Sequence, residues 1–263
     1  MHAPQQDSVI YNGWLIARST LFYTLLVPFT IFWSSAALVY GPFLNFEQRS
    51  RIIIALWCRA VMVLLRLCCG IRYEVQGAEN IRPGSILYSK HESTWETFFI
   101  QTLIQPQTQV IKQELLNVPF FGWAFTLVNP IAIDRSDRKK AMAQLMAQGT
   151  ERLKAGISLM IFPEGTRVDP GQYKPFTKGG ARLAIAAGKP LVPIAHNAGD
   201  YWPNGRLIKY PGTIRMVIGQ PISPEGQDED SLTRIAERWV LETTARLQED
   251  SWRSEPVFDK TIA

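Results

Sequence analysis

A stretch without a single charged residue, residues 19–46, constrains the fold of this chain more than any other feature. It is longer than the ~20 apolar residues that cross the hydrocarbon core of a bilayer as a helix. Pro28 and Pro42 interrupt the stretch, which is compatible with a kinked helix or with a re-entrant hairpin. Because soluble helices rarely continue so far without a charge, we expect a membrane helix rather than a buried core helix.

A second apolar segment, residues 52–70, follows closely. Arg59 and Arg66 lie on the same side of a helix over this segment, because about two helical turns separate them. One basic stripe beside a broad apolar face suits the membrane interface, although a core helix with two solvent-reaching arginines has the same pattern. Residues 1–70 are therefore predicted to be membrane-anchoring helices.

Basic residues are distributed unevenly around the charge-free stretch. Arg18 alone precedes it, whereas several arginines follow it closely: Arg49, Arg51, Arg59, Arg66 and Arg72. If the stretch spans the bilayer, the positive-inside rule places the rest of the chain in the cytoplasm. The expected location is the inner or plasma membrane, with the remainder of the chain on its cytoplasmic side.

The composition excludes several classes of protein. Hydrophobic residues make up 46% of the chain, which excludes a disordered or collagen-like chain, and the charged fraction of 19% is low for a soluble protein. The formal net charge of +5 suits an anionic membrane or a phosphorylated substrate, but no dense basic run indicates nucleic-acid binding. Cys58, Cys68 and Cys69 lack zinc-site spacing and a nearby histidine, so no metal site or disulfide is expected.

The pattern changes at about Gly70, where short β-branched runs begin to alternate with helical periodicity. Strands are predicted at residues 71–76, 85–89, 109–112, 131–133, 158–162, 191–195 and 213–218. Apolar residues at helical spacing predict helices over residues 138–155 and 231–247. The alternation indicates an α/β domain over residues 71–250, with a mixed, largely parallel sheet covered by helices, and residues 251–263 are expected to be a loose tail.

His91 and Glu96 are the first candidate catalytic residues. His91 follows a predicted strand, and functional sites of α/β sheets gather at the carboxyl ends of strands. A neutral imidazole there can take a proton from a hydroxyl, provided that a carboxylate holds its other nitrogen. Glu96 is a candidate for that carboxylate, although a capping box formed with Ser93 explains it equally well. His196 ends another strand and is the alternative candidate for the base. We favour His91 because Glu96 lies five residues after it.

A second group of candidates follows the strand predicted at residues 158–162. Glu164, Gly165, Thr166 and Arg167 form a turn in which the glycine permits close backbone approach and the arginine can grip a phosphate with two hydrogen bonds. An ordinary turn with solvated Glu and Arg side chains is the alternative.

Further basic candidates lie on both sides of this turn. Arg135 follows the strand predicted at residues 131–133 and begins a basic cluster, although Asp137 is also placed to cap a solvated helix there. Lys178 precedes two glycines and adds a cation, unless that segment is simply the loop entering the next helix.

Together these residues resemble the glycerolipid acyltransferase family, in particular its 1-acyl-sn-glycerol-3-phosphate acyltransferases. The family's four blocks occur in order, at residues 91–96, 131–135, 162–167 and 192–194, and residues 112–123 are similar to a stretch between the first two. Residues 162–167 are a full match to the Phe-Pro-Glu-Gly-Thr-Arg block, and the resemblance covers residues 71–219. One departure is Glu96, where the family usually has Asp; lipid A secondary acyltransferases also use Glu but do not normally carry the block at residues 162–167.

The resemblance implies an acyltransferase in which His91 is the general base and Glu96 orients it. The acyl donor is expected to be acyl-CoA or acyl-acyl-carrier protein, and the acceptor a lysophospholipid, 1-acyl-glycerol-3-phosphate, bound through Arg135, Arg167 and Lys178 together with Glu164, Gly165 and Thr166. No metal or redox cofactor is implied. The family also implies that the apolar helices embed in one leaflet rather than span.

Two alternatives remain open at this point. One is an acyltransferase for another acceptor, such as glycerol-3-phosphate, a lyso-ornithine lipid or another lysophospholipid. The other is a membrane lipid-binding protein without turnover.

Overall fold

Apolar helices precede the sheet in this computed structural model, which describes residues 9–134 and 136–249. Helix α1 (Val9–Tyr40) begins before the charge-free stretch and passes through Pro28 without ending. A 3-10 turn (Gly41–Phe43) follows, then α2 (Phe46–Arg49), a π-helical turn (Ser50–Ala55) and α3 (Leu56–Cys69).

Local capping explains where these helices begin and end. The Asn45 side chain accepts a hydrogen bond from the backbone of Gln48, and the Gln48 side chain returns one to Asn45, which forms a capping box at the start of α2. At the other end Gly70 adopts φ +70, the left-handed conformation that terminates α3 and turns the chain into the first strand.

Seven strands form one sheet, and they match the strands predicted from the sequence to within about two residues. They are β1 (Ile71–Gln76), β2 (Ile86–Ser89), β3 (Gln107–Lys112), β4 (Ile131–Ile133), β5 (Ser158–Ile161), β6 (Leu191–His196) and β7 (Gly212–Ile218). Their order is β1-β7-β6-β2-β5-β3-β4. Only β6 and β7 are antiparallel among these described strands, so the predicted mixed, largely parallel sheet is confirmed.

Helices cover both faces of the sheet, as expected for parallel strands. The remaining ones are α4 (Trp95–Phe99), α5 (Phe121–Thr126), α6 (Arg138–Lys154), α7 (Gly179–Ala187), α8 (Ala198–Tyr201) and α9 (Glu229–Glu249). Asp137 caps α6, as the alternative interpretation of that segment expected, by accepting a hydrogen bond from the backbone N–H of Lys140.

Two large hydrophobic clusters lie on opposite faces of the sheet. One contains side chains of α1, α3 and α4 with alternate residues of the central strands, such as Leu87 and Met160. The other contains side chains of α6, α7 and α9 with the intervening residues, such as Ile86 and Leu159. The two-residue period of the strands thus divides the core between an α1/α3 face and an α7/α9 face.

Helix α1 lies against the rest of the protein and keeps an apolar side exposed. Ser19 Oγ accepts a hydrogen bond from the backbone of Lys209, and Trp33 Nε1 donates one to the Ile53 carbonyl. On the other side of the helix, large apolar side chains remain exposed, among them Leu21, Leu25, Phe32 and Val39. Residues Val9–Phe43 and Phe46–Cys69 are long and apolar enough to cross a membrane, which agrees with a membrane-associated chain. The division at residues 70 and 250 stays a prediction, and the predicted tail at residues 251–263 lies outside the described residues.

The exposed side of α3 combines basic and apolar side chains. Arg59 and Arg66 are both exposed there, as their spacing predicts. The exposed apolar side chains on the same helix side include Leu56, Val63 and Leu67. This mixture is typical of a helix that lies at a membrane interface.

Candidate active site

The carboxyl ends of the central strands bring the predicted blocks to one edge of the sheet. Strands β2, β3, β5 and β6 run parallel, so the residues that follow them leave the sheet on the same side. His91 lies two residues after β2, Phe162 comes directly after β5, and His196 ends β6. The sequence could predict this convergence because it needs only the strand positions and their parallel direction.

His91 and Glu96 form a hydrogen-bonded pair at this edge. The Nδ1 atom of His91 lies 2.8 Å from Oε1 of Glu96. The Glu96 side chain is fully buried, whereas the His91 side chain retains an exposed fraction of 14%. The imidazole stacks on the ring of Phe162 at 3.9 Å between centroids, which fixes its plane.

The surroundings of Glu96 keep its carboxylate charged. Burial alone would raise the pKa of this carboxyl, but the hydrogen bonds from His91 and from the backbone N–H of Ser93 outweigh it and lower the pKa. Oε1 also accepts backbone hydrogen bonds from Glu92 at 3.0 Å and Ser93 at 2.9 Å. An ionised Glu96 accepts from Nδ1–H of His91, and this leaves Nε2 as the basic nitrogen.

Glu96 therefore serves the helix end and the imidazole at the same time. Its bond to the Ser93 backbone is half of a capping box, but Ser93 Oγ accepts from the backbone of Trp95 and donates to the Trp202 carbonyl instead of completing it. The two interpretations of Glu96 that the sequence left open are thus compatible in one geometry.

Residues 163–167 form a turn that is tied directly to the His91 loop. The Gly165 N–H donates to the Phe162 carbonyl at 3.1 Å, and Gly165 adopts φ +71, which a side chain would strain. Arg167 Nε donates to the Ser93 carbonyl at 2.9 Å. Gly165 and Thr166 are exposed and Arg167 is half-buried, so the turn borders the edge where His91 lies.

A buried cluster beneath these loops joins Glu164, which was predicted as a site residue, to Lys90 and Glu92, which were not. The Lys90 ammonium lies 3.1 Å from Oε1 of Glu164 and 3.4 Å from Oε1 of Glu92, and all three side chains are at least 97% buried. Glu164 Oε1 also accepts from the His91 backbone at 3.3 Å, and Gln248 of α9 donates to Glu92. Lys90 and Glu92 flank His91 in sequence, but nothing local distinguishes a buried lysine from a solvated one.

One ammonium between two buried carboxyl groups leaves one negative charge uncompensated. Burial raises the pKa of Glu92 to about 8, although Lys90 opposes the rise. Burial also raises the pKa of Glu164, again against Lys90. We infer that Glu92, which lies farther from the ammonium, holds a proton at neutral pH while Glu164 pairs with Lys90.

His196, the rival base, has no access to a substrate. Its side chain is fully buried, Nδ1 accepts from the Ala198 backbone at 3.3 Å and Nε2 donates to the Lys90 carbonyl at 2.9 Å. Burial lowers its pKa, which keeps the ring neutral. His196 therefore holds the strand that leads into His91.

The other predicted cations are placed differently. Lys178 forms an exposed ion pair with Asp230 at the start of α9, and no described contact joins it to the His91 loop. Arg135 lies outside the described residues. The phosphate-binding role of both stays a prediction.

Known proteins are similar to this chain over most of its length. Residues 72–197 match the family model described as Acyltransferase. The 1-acyl-sn-glycerol-3-phosphate acyltransferase of Pseudomonas aeruginosa is 49% identical over 234 residues, which cover 88% of this chain and 91% of that protein. The same-named enzyme of Cocos nucifera is 26% identical over 89% of this chain and 78% of its own length.

A solved structure shares the fold. The crystal structure of the 1-acyl-sn-glycerophosphate acyltransferase of Thermotoga maritima superposes with a TM-score of 0.74 and covers 90% of this chain and 96% of that one. Its sequence identity of 24% makes this a likeness of fold alone.

Proposed function

This chain belongs to the acyltransferase family, and we propose that it transfers a fatty acyl group from a thioester to the free hydroxyl of 1-acyl-glycerol-3-phosphate, giving phosphatidic acid. The observation that carries the proposal is the hydrogen-bonded pair of His91 and Glu96 at the carboxyl edge of the sheet. The name of the Pseudomonas aeruginosa relative supports the choice of acceptor.

His91 acts as the general base. Its Nε2 takes the proton from the acceptor hydroxyl, and Glu96 stabilises the imidazolium that forms. The alkoxide oxygen bonds to the thioester carbonyl carbon, and the C–S bond breaks as the tetrahedral intermediate collapses. The imidazolium returns its proton to the departing thiolate, so the products are an ester and a free thiol. No acyl-enzyme intermediate is required.

The turn at residues 163–167 supplies the proposed acceptor contacts. Arg167 uses Nε to bind the Ser93 carbonyl, and its terminal N–H groups serve as donors to the acceptor phosphate. Glu164 braces the turn through Lys90, while Gly165 and Thr166 present exposed backbone and hydroxyl groups. Arg135 and Lys178 are further proposed phosphate contacts.

The donor and the location complete the proposal. The thioester is acyl-CoA or acyl-acyl-carrier protein, and both donors leave a thiol that the same chemistry protonates. The catalytic residues work on the cytoplasmic side of the inner or plasma membrane, as the arginines that follow α1 indicate.

Thiol release from an acyl thioester tests this function. The full-length protein is expected to release thiol only when 1-acyl-glycerol-3-phosphate is present, and a parallel panel with glycerol-3-phosphate and other lysolipids identifies the preferred acceptor. His91→Gln keeps a hydrogen-bond donor for Glu96 but has no base, so we expect turnover to fall by roughly 10²–10⁴-fold. Circular dichroism checks that the variant folds. Binding of the acceptor without any thiol release in the wild type would instead identify a lipid-binding protein.

A further inference from the structure

A second exposed apolar surface lies on the connection between β3 and α5, which we call the β3–α5 segment (residues 113–123). Because β3 runs parallel to β5, this segment leaves the sheet at the same edge as His91 and the turn at residues 163–167. Four of its large apolar side chains are 38–48% exposed: Leu115, Val118, Phe120 and Trp123. They therefore lie on the active-site edge and not beneath the sheet.

Some aromatic side chains of the segment pack into the protein, whereas others next to them in sequence remain exposed. Phe121 approaches the ring of Trp57 of α3 at 5.9 Å, and its ring stacks on that of Phe125 at 5.7 Å. Phe120 stays outside, with its ring 5.5 Å from that of Trp123. An inner aromatic row thus anchors the segment while an outer row faces away from the protein.

The backbone holds the outer row in place. The Gly122 N–H donates to the Val118 carbonyl at 2.8 Å, and a Cβ on Gly122 would lie 2.5 Å from the Leu115 carbonyl oxygen. Phe120 adopts φ +61, a conformation that costs a non-glycine residue free energy. A rigid, partly strained turn that exposes aromatic side chains is more typical of a contact surface than of a solvated loop.

The surface continues the exposed apolar side of α1. Helix α5 packs on α1, and a Cβ on Gly41, just after α1, would lie 2.7 Å from the Leu127 side chain just after α5. Trp33 of α1 lines a cavity together with Phe121. The apolar side of α1 and the outer row of the β3–α5 segment therefore belong to the same side of the molecule.

Charges around the segment complement anionic lipid headgroups. Lys112 precedes it and is exposed, and Lys139 and Lys140 are exposed at the start of α6. Lys140 and Lys112 are among the groups near Asp134, whose pKa is lowered chiefly by its hydrogen bonds with Ser136. Glu114 pairs with Lys112 at 3.0 Å. The excess of positive charge lies in residues 134–140, whose sequence contains four basic and two acidic residues.

We propose that the β3–α5 segment is a second membrane contact, which inserts Leu115, Val118, Phe120 and Trp123 into the interface of an anionic bilayer. Aromatic side chains favour this depth, and the nearby lysines reach the headgroups. The inference rests on the proposed function, because contact at this edge brings His91 to the level at which a lysophospholipid presents its headgroup. It adds an anchor within the catalytic domain to those in α1 and α3.

Site-directed fluorescence tests the contact. The three native cysteines are buried, so Leu115→Cys and Val118→Cys can be labelled selectively with an environment-sensitive dye. Phe32→Cys on α1 is the positive control, and Ile185→Cys on the opposite α7/α9 face is the negative control. With vesicles of phosphatidylcholine and phosphatidylglycerol, the labels at residues 115 and 118 should shift to the blue and be quenched by spin-labelled lipid, as the label at 32 is.

Two results would overturn the proposal. If the label at 32 inserts while those at 115 and 118 behave like the label at 185, the membrane anchor stands and the second contact is wrong. If 115 and 118 respond to an acidic acyl-carrier protein but not to vesicles, the surface binds protein instead. If the label at residue 32 also fails to insert, the membrane anchoring in the proposed function is contradicted.

An activity readout complements the labels. Leu115→Ser with Trp123→Ser should lower turnover of a vesicle-borne acceptor by roughly tenfold, because the variant lacks two apolar side chains that would transfer from water into the membrane. Turnover of a short-chain, water-soluble acceptor should stay unchanged. Ile185→Ser with Ile235→Ser is the matched control and should alter neither rate. Equal losses with both acceptors would contradict the proposal.

Discussion

A single carboxylate, that of Glu96, connects the local chain geometry with the proposed chemistry. It accepts from two backbone N–H groups and from the His91 ring through the same oxygen, Oε1. A glutamate suits this position because the carboxylate must reach back from the first turn of α4 to the loop. The same three bonds explain why the residue has a structural and a proposed catalytic role together.

Replacement of Glu96 separates those two roles. Glu96→Gln retains the size of the side chain but cannot stabilise an imidazolium, so we expect kcat to fall by at least about 10²-fold with little change in KM. Glu96→Asp keeps the charge and should retain part of the activity. Steady-state kinetics and thermal unfolding of both variants provide the check. If Glu96→Gln loses stability but keeps kcat, only the capping role is real.

Glu92 gives the molecule a pH-dependent stability that can be measured separately from activity. Its pKa rises from 4.5 to about 8 on folding, so the folded protein holds this proton over a range in which the unfolded chain has released it. The stabilisation is complete below about pH 4.5 and is lost as the pH rises through 8. The free energy of unfolding should therefore decrease across this window, by an amount on the order of a few kcal/mol.

Glu92→Gln, which is neutral at every pH, tests this interpretation. Its stability relative to the wild type should increase as the pH rises towards 8, in thermal unfolding followed at several pH values. Glu242→Gln, on the exposed side of α9, is the matched control and should leave the pH dependence unchanged. Parallel curves for the wild type and Glu92→Gln would show that Glu92 is ionised throughout.

At the scale of elements, the turn after β5 is held by contacts on both sides. Arg167 reaches the Ser93 carbonyl, and the Thr177 backbone donates to the Pro163 carbonyl at 2.9 Å. Tyr88 of β2 supports the same region, because its hydroxyl donates to the Thr177 carbonyl at 3.0 Å. The turn is therefore fixed relative to the loop that carries His91.

Two proposed phosphate contacts, Arg167 in this turn and Lys178 after it, can be compared by substitution. Arg167→Ala should raise the KM for 1-acyl-glycerol-3-phosphate by roughly tenfold or more, since a hydrogen bond to a charged group contributes about 1.5–3 kcal/mol. The KM for the thioester should change less. Lys178→Ala removes a cation that is already paired with Asp230, so a smaller increase is expected. An unchanged acceptor KM in Arg167→Ala would exclude this arginine from the phosphate site.

At the scale of the whole molecule, the two faces of the sheet differ in what they present outward. The α1/α3 face carries exposed apolar side chains between Arg59 and Arg66, whereas α9 on the other face exposes Arg234 and Arg238. We expect this asymmetry to orient the protein on an anionic bilayer, with α1 and α3 towards the lipid.

Charge removal on each face tests this orientation. Arg59→Gln with Arg66→Gln should weaken binding to anionic vesicles by roughly thirtyfold and reduce its salt dependence, at about 1 kcal/mol per basic residue near the surface. Arg234→Gln with Arg238→Gln changes the net charge equally and should leave binding nearly unchanged. Vesicle co-sedimentation at two salt concentrations measures both. Equal effects would mean that net charge alone, and no particular face, governs binding.

The sequence by itself determined the strands and the class of sheet, and it identified His91, Glu96 and the turn at residues 163–167 as candidates, because each follows from local signals. Periodicity, caps and the spacing of neighbouring residues operate within a few positions along the chain. Only the tertiary structure decided which of the polar residues are buried. Lys90 between Glu92 and Glu164, the confinement of His196 and the pairing of Lys178 with Asp230 all depend on contacts between residues far apart in sequence. The outward row of the β3–α5 segment is likewise a tertiary result, since packing against α3 decides which of its aromatic residues point inward.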